Sequence, residues 1–311
     1  MDKPVVSVFM LTYNQEQFIG QAIESILGQK TTFTIQLVIG EDCSTDATRA
    51  ICERYATAFP DRIKLLPSLG KNIGLIANYV RTLKECNGSY IAICDGDDYW
   101  TDDLKLQKQV DFLENNQDYS IVYTAVNRLF ENETQATYSY VPAGAELGFE
   151  ELVNNNFIHS VTALFRNIPV SLDPVPTWLL EVPFGDWQTY LWTIKDGGKI
   201  YFINEVTAVY RMDIGVTSKF KTTNSAFLQT LVSILKKIYL DDNFKTKRNF
   251  INASILSKKR DVISSLNREG QFTAAFLFFI KTIVATNEKY HLLKFYLYSL
   301  FKGNRKNKMI N

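Results

Sequence analysis

An α/β protein with a doubly wound sheet, followed by a smaller helical extension, is what this sequence predicts. Three observations carry that expectation. Between residues 5 and 100, strand-length apolar runs alternate with helix-length amphipathic stretches in the order β-α-β-α-β-α-β, the pattern of parallel strands joined by right-handed crossovers. The strand-length runs are apolar on both faces, as in strands enclosed within a sheet. From about residue 222 only helical periodicity remains. The expected organisation is therefore one α/β domain at 1–220 and a helical region at 221–311.

Residues 5–11 are β-branched and apolar, bounded by Pro4 and by Thr12-Tyr13-Asn14, and read as a buried first strand ending in a polar turn. A helix follows, with Phe18, Ile19, Ala22, Ile23, Ile26 and Leu27 on one face and Gly28 as its stop. Residues 35–39 form a second strand that runs into Gly40-Glu41-Asp42-Cys43-Ser44-Thr45-Asp46. The next helix starts near Asp46 and stops at Pro60; a short strand at 63–66, a helix to about Cys86 and the turn Asn87-Gly88 come after it. Past the fourth strand are a helix at 102–115, a strand at 119–126 and a polar insertion at 127–156. A strand with a polar entry at 156–166 precedes a helix from Trp187 to about Lys195, stopped by Gly197-Gly198, and strand structure in two pieces at 199–211. In the tail, Phe227, Leu228, Leu231, Leu235 and Ile238 stripe one helix, and others lie around 248–266, 271–285 and 289–302.

Of 311 residues, 46% are hydrophobic, ordinary for a globular chain with a full core. Lys+Arg 34 against Asp+Glu 33 leaves a net charge of +1, and no motif points to nucleic acid. Cys43, Cys52, Cys86 and Cys94 include no C-x-x-C pair and the histidines are His159 and His291, which excludes a Cys/His zinc site. The cysteines read as reduced thiols. No leader pattern precedes the first strand, and the longest apolar stretch, 274–285, is interrupted by Lys281 and too short to span a bilayer, so the expected location is cytoplasmic.

The chemistry concentrates where the fourth strand, Tyr90-Ile91-Ala92-Ile93-Cys94, stops in Asp95-Gly96-Asp97-Asp98. Ligands of open α/β sheets bind beyond the carboxyl ends of the strands. Three mutually repelling oxygen donors there suit Mg²⁺ or Mn²⁺; the other reading is a solvated acidic turn before a helix. An EF-hand loop is excluded, because the twelfth position counted from Asp95 is Leu106 rather than Glu. The first turn lacks G-x-G-x-x-G, which argues against a dinucleotide fold.

Taken in order, Val6-Ser7-Val8 to Thr12-Tyr13-Asn14, then Glu41-Asp42-Cys43-Ser44-Thr45-Asp46, Asp95-Gly96-Asp97-Asp98, Gly185-Asp186-Trp187 and Tyr210-Arg211 make the chain resemble the family 2 inverting glycosyltransferases of bacterial cell-surface polysaccharide synthesis. The likeness covers roughly residues 4–218. It implies the GT-A fold, a doubly wound mixed sheet, with the region after 220 outside it. It further implies that Thr12, Tyr13, Asn14, Asp42 and Asp95 bind the nucleotide, Asp42 accepting the N3–H of uracil or thymine. Asp97, with Asp95 and Asp98, would hold Mn²⁺ or Mg²⁺ against the diphosphate. Asp186 resembles the catalytic base, and Trp187 and His159 would meet the acceptor. An N-cap for Asp186, a core place for Trp187 and a satisfied histidine at 159 are the plainer readings of the same residues. Arg211 would pair with the diphosphate or with a buried carboxylate.

Two departures from the family pattern stand out: in the second motif Cys43 occupies the usual place of a glycine and Glu41 that of the opening aspartate, and Met212-Asp213-Ile214-Gly215 replaces the histidine often found after Tyr210-Arg211. The expected partners are a UDP- or dTDP-sugar donor and a saccharide or lipid-linked saccharide acceptor. The basic, aromatic C-terminal helices suggest contact with the inner membrane surface or a cap on the domain. A sugar nucleotidyltransferase and a non-catalytic sugar-nucleotide-binding partner of a larger synthase are the competing functions; the first lacks a Gly-rich turn with an activating Lys or Arg, the second conflicts with the retained Asp97 and Asp186.

Overall fold

The computed structural model describes the chain apart from residues 1–3, 131, 133–134, 140–145, 169–175, 213, 215–222, 287 and 308–311. The chain divides into two compact units, Met1–Lys219 and Phe220–Asn311. The change of character expected near 220, and Asp213 and Gly215 of the Met212–Gly215 departure, lie outside the described residues.

In the first unit, β1 (Val6–Thr12), α1 (Ile19–Leu27), β2 (Ile35–Glu41), α2 (Thr48–Ala58), β3 (Ile63–Leu65), α3 (Leu75–Lys84) and β4 (Tyr90–Ile93) alternate as the periodicity requires. The four strands pair in parallel in the order β3-β2-β1-β4. All of β1 and β4 is buried. Val8, Met10, Leu37, Ile39 and Ala92 share one core cluster with Ile19, Ile23 and Ile26 of α1, each large aliphatic side chain contributing about 2 kcal/mol on burial. The rest of the unit comprises β5 (Tyr99–Trp100), α4 (Lys105–Asn115), β6 (Tyr119–Leu129), β7 (Gln135–Tyr138), α5 (Phe149–Asn154), β8 (Leu164–Arg166), α6 (Asp186–Thr193) and β9 (Lys199–Arg211). Past β4 the sheet turns mixed, in the full order β3-β2-β1-β4-β8-β6-β9-β5 with β7 on β6. β8 is antiparallel to β4 and β6, β9 is parallel to β6, and β5 is antiparallel to β9. This is the doubly wound mixed sheet that the resemblance implies.

Several local expectations give way to tertiary contacts. The strand expected at 156–166 is a 3-10 turn at Ser160–Thr162 followed by only three strand residues, because Val161 gives its carbonyl to the Trp100 indole (2.9 Å) and Thr162 turns its hydroxyl back to the His159 carbonyl (2.7 Å). The two strand pieces at 199–211 are halves of one strand, β9: its register on β6 jumps from Thr124↔Ile203 to Ala125↔Val206. The described part of the polar insertion contains β7 and α5. α6 ends at Thr193 with Ile194 as its cap, two residues short of the expected Lys195, and Gly197 and Gly198, with φ of 138° and 98°, turn the chain after it into β9.

The second unit consists of α7 (Asn224–Leu240), a 3-10 turn at Asp242–Lys247, α8 (Arg248–Arg268), α9 (Phe272–Val284) and α10 (Lys289–Asn307). The Thr223 hydroxyl caps α7 by accepting from Ala226 N–H. On α7 the buried side is Val232, Ile234, Leu235 and Ile238, whereas Phe227, expected in the apolar stripe, is 45% exposed. α9 and α10 both pack on α8, and Asn267 of α8 donates to Ser299 of α10 at 2.8 Å.

Gly88 enters β4 against the backbone of β1: a Cβ there would stand 2.5 Å from Ser7 N and 2.9 Å from the Val6 carbonyl carbon. Gly88→Ala therefore forces two strand backbones apart, and a loss of about 1–3 kcal/mol in urea denaturation is expected.

Candidate active site

The ladder carries the acids to one end of the sheet. Thr12, the last residue of β1, is paired with Glu41 of β2, and Phe9 with Ile93 of β4. The pairing continues past the strands. Asp42 N–H donates to the Thr12 carbonyl (3.1 Å), Gly96 N–H to the Leu11 carbonyl (2.9 Å), and Leu11 N–H to the Asp95 carboxylate (3.2 Å). Asp42 and Asp95 thus flank the carboxyl end of β1, one on each side. Gly96 is required by this proximity, since a Cβ would meet Gln15 Oε1 at 2.6 Å and Thr12 Oγ1 at 2.7 Å.

The Asp95-Gly96-Asp97-Asp98 turn is sunk in the protein, with Asp97 and Asp98 buried and Asp95 half-buried. Burial raises all three carboxyls: Asp95 to about 7, helped by the neighbouring Asp97 and then by Asp186; Asp97 despite hydrogen bonds to its carboxylate from its own main chain and Gln15; and Asp98 well above the ordinary range, again with Asp97 as the next cause.

Arg211 is the cation that holds this turn. Its guanidinium donates to the Asp97 main-chain carbonyl and to Gln21 Oε1 (2.6 Å), its own N–H donates to Asp98 Oδ1 (2.9 Å), and its plane lies over Phe18 and Tyr99. The guanidinium thus meets the turn through its main chain, and the carboxylate that Arg211 reaches, that of Asp98, is bound by its backbone N–H. Asp98 is thereby turned inward, 2% exposed, and among the described residues no group of three or more His, Cys, Asp or Glu stands ready to hold a cation. The three-acid metal set reduces to Asp95 and Asp97. That donor set fits a hard divalent ion of the kind that takes one or two carboxylates and completes its shell with substrate phosphate and water.

Asp186 is the first residue of α6, with Gly185 rather than Asp186 in the cap position. A Cβ on Gly185 would press within 2.7 Å of the Tyr79 ring, so the absence of a side chain lets α6 start against α3. Tyr79 then donates to Thr189 on α6 at 2.9 Å. Burial raises the Asp186 carboxyl, against hydrogen bonds from Trp187 N–H and from Asn156 Nδ2 (3.1 Å). Burial raises the Tyr79 and Tyr190 hydroxyls, with Asp186 and Asp95 as lesser causes in the same direction. The buried Tyr190 hydroxyl has no hydrogen-bond partner among the described residues.

In the turn after β1, Thr12 is buried, its hydroxyl donating to Gln15 Oε1 (2.8 Å), and Tyr13 is 37% exposed. Asn14 and Cys43 are the two described non-glycine residues with positive φ, 52° and 60°. Cys43 therefore adopts the left-handed backbone that a glycine takes freely, which is what the family pattern places there. Asn14 binds across the same gap, accepting from Thr45 N–H (2.8 Å) and donating its own N–H to Ser44 (3.0 Å). Each carboxylate oxygen of Asp42 accepts one main-chain N–H, from Ile73 and Gly74, at 2.9 Å.

Of the two acceptor candidates Trp187 is buried and His159 half-buried. Trp187 is 1% exposed and its indole N–H is used by the Leu152 carbonyl (2.7 Å), so it is a core residue rather than an acceptor platform. His159 accepts at Nε2 from the Arg128 guanidinium and lies between Tyr138 and Tyr210; burial, then the Arg128 charge, lowers it to about 4, which makes it a neutral, satisfied histidine. Sequence reasoning missed Gln15, Gln21, Tyr79, Asn156 and Tyr190. Only Gly185 signalled one of them, by calling for a close neighbour.

The fold and the acids on its carboxyl edge define the GT-A class. The model of the Glycosyl transferase family 2 matches residues 7–170, more than half of the chain, and the chain belongs to that family. An uncharacterized protein of Mycobacterium tuberculosis is 33% identical over 208 residues, 66% of this chain and 58% of that one. TuaG of Bacillus subtilis, a glycosyltransferase assigned to teichuronic acid biosynthesis, is 29% identical over 214 residues, 68% of this chain and 80% of TuaG. The chain thus spans little more than half the length of its mycobacterial relatives. The fold is similar to that of Staphylococcus aureus TarS 1–349 in complex with UDP-GlcNAc, with a TM-score of 0.61 at 14% identity over 98% of this chain and 91% of TarS 1–349.

Strain at Cys43 is directly measurable. Cys43→Gly is expected to leave stability unchanged or raise it by up to about 1 kcal/mol, and Cys43→Val, β-branched in a left-handed position, to lower it by about 1–2 kcal/mol in urea denaturation. For His159, the folded value of about 4 lies below the ordinary 6.5, so the unfolded chain binds the extra proton between these values. Its contribution to stability is present above pH 6.5 and is lost as pH falls through about 4. Urea midpoints across that range are expected to fall less steeply for His159→Gln than for the parent.

Proposed function

We propose that this chain is an inverting glycosyltransferase that moves a sugar from a UDP- or dTDP-sugar to a hydroxyl of a saccharide or lipid-linked saccharide, in the synthesis of a cell-surface polysaccharide. The observation that carries the reading is the packing of Gly185, just before Asp186, on the Tyr79 ring, which lies 4.8 Å from Phe9 of β1, itself paired with Ile93 two residues before Asp95. It brings the candidate base, on α6, beside the acidic turn after β4. The TuaG and TarS likenesses support the same direction, through the polysaccharide assigned to one and the uridine nucleotide sugar held by the other.

In this mechanism Asp42 reads the base. Its two main-chain N–H partners orient the carboxylate and leave each oxygen a further lone pair, which accepts the N3–H of uracil or thymine and rejects the bare N3 of cytosine. Thr12, Tyr13 and Asn14 line the nucleoside side, and Asp95 and Asp97 would hold Mn²⁺ or Mg²⁺. That ion, when bound, supplies neutralisation of the diphosphate leaving group. Arg211 acts by positioning: it fixes the main chain of the turn so that the Asp97 carboxylate is aimed rather than free. Asp186 removes the proton of the attacking hydroxyl as the acceptor oxygen bonds to the anomeric carbon on the face opposite the departing diphosphate. Burial raises its carboxyl toward the values at which a general base is effective, and the Asn156 amide orients it. The chain would act in the cytoplasm, peripherally on the inner face of the membrane where a lipid-linked acceptor resides.

Asp186→Asn is expected to lower turnover by roughly 10²- to 10⁴-fold while donor affinity is kept; full turnover with donor still bound would place the base elsewhere. Asp97→Asn is expected to abolish the Mn²⁺-dependent component of UDP binding in calorimetry, and an unchanged isotherm would remove Asp97 from the ion.

A further inference from the structure

The outward sides of α9 and α10 reverse the ordinary pattern of a helix that faces water. The two helices pack on α8 and on each other, the Phe279 and Tyr296 rings stacked at 4.4 Å. Their buried sides include small and polar residues, Ala275 and Thr282 on α9 and Ser299 on α10. The opposite side of α9 carries Phe276, Leu277, Ile280 and Val284, which share one face at helical spacing; on α10, Leu293 and Leu297 do the same. These positions are open: Leu277 is 56% exposed, Val284 77% and Leu297 56%. A contiguous apolar face of this kind marks an interaction site.

Charge identifies what covers it. Neither helix contains an Asp or Glu, while Lys281, Lys289 and Lys294 are exposed along them and Lys302, Arg305 and Lys306 continue the basic run in sequence. Glu288, between the helices, is paired with Arg260. A second copy of the chain would bring the same lysines to this face with no acid to meet them. An anionic bilayer satisfies both features, taking the apolar side chains into the boundary of its acyl region and the lysines among its phosphates. Among the described residues no helix is long and apolar enough to cross a membrane, so the contact lies in the plane of the surface.

We propose that α9 and α10 together form a docking face for anionic phospholipid membranes. This deepens the membrane part of the function proposed above, though the docking itself does not require that function. The test mixes the full chain with sedimentable vesicles of phosphatidylcholine, with and without phosphatidylglycerol. The chain is expected to pellet with the anionic vesicles, with affinity at least about tenfold above that for phosphatidylcholine alone and weakened by salt. The double variant L277E/V284E is expected to stay in the supernatant with unchanged circular dichroism; should it misfold, K281E/K294E serves instead, with the same expectation. No pelleting of the parent, or equal pelleting of parent and variant, overturns the proposal. So does light scattering that shows a dimer of the parent and a monomer of L277E/V284E, which would make the face a contact between copies. UDP binding, measured by calorimetry without vesicles, reports on the proposed transferase separately.

Discussion

A concentration of buried carboxylate at the carboxyl edge of the sheet is the constraint on which the first unit is built. Asp95, Asp97, Asp98 and Asp186 are all raised by burial, and Asp95 is pushed further by its neighbours. Left alone, such a group would drive its own loops toward water, because desolvated like charges cost far more than exposed ones. Arg211 answers part of that charge from the end of β9, and it binds the main chain of Asp97 instead of its carboxylate. In the function proposed here, the remaining charge at Asp95 and Asp97 would be met by the divalent cation.

The backbone around this edge is specialised for close approach. Gly96 lets the acidic turn settle on Thr12 and Gln15, and Gly185 lets α6 begin against Tyr79. Cys43 holds a glycine-like conformation without being glycine, at a local cost in strain. The consequence for function is rigidity: the groups on β1, β2, β4 and α6 are held by main-chain hydrogen bonds and steric contact more than by flexible side-chain pairs.

The elements the sequence made legible were those whose hydrophobic period is set by enclosure. β1, β2 and β4 are buried along almost their whole length, so their patterns are unmixed. The pattern failed where hydrogen bonds come from distant chain segments. The Trp100 indole takes the Val161 carbonyl and turns an expected strand into a 3-10 turn, and the two-residue β5 exists only because β9 lies beside it. Trp187 misled for a similar reason: its place after Asp186 in a site motif suggested contact with substrate, whereas α5 supplies the carbonyl that buries it.

What the sequence determined by itself was the parallel core and the identity of the acids, because strand periodicity and the order of the motifs are local properties of the chain. The tertiary structure alone decided what surrounds each of those acids. Asp98 turns inward to the Arg211 main chain, Asp95 and Asp97 remain as a pair, and Asp186 comes within electrostatic reach of Asp95. Each of these depends on contacts between residues far apart along the chain, and charge coupling follows distance in space rather than separation in sequence.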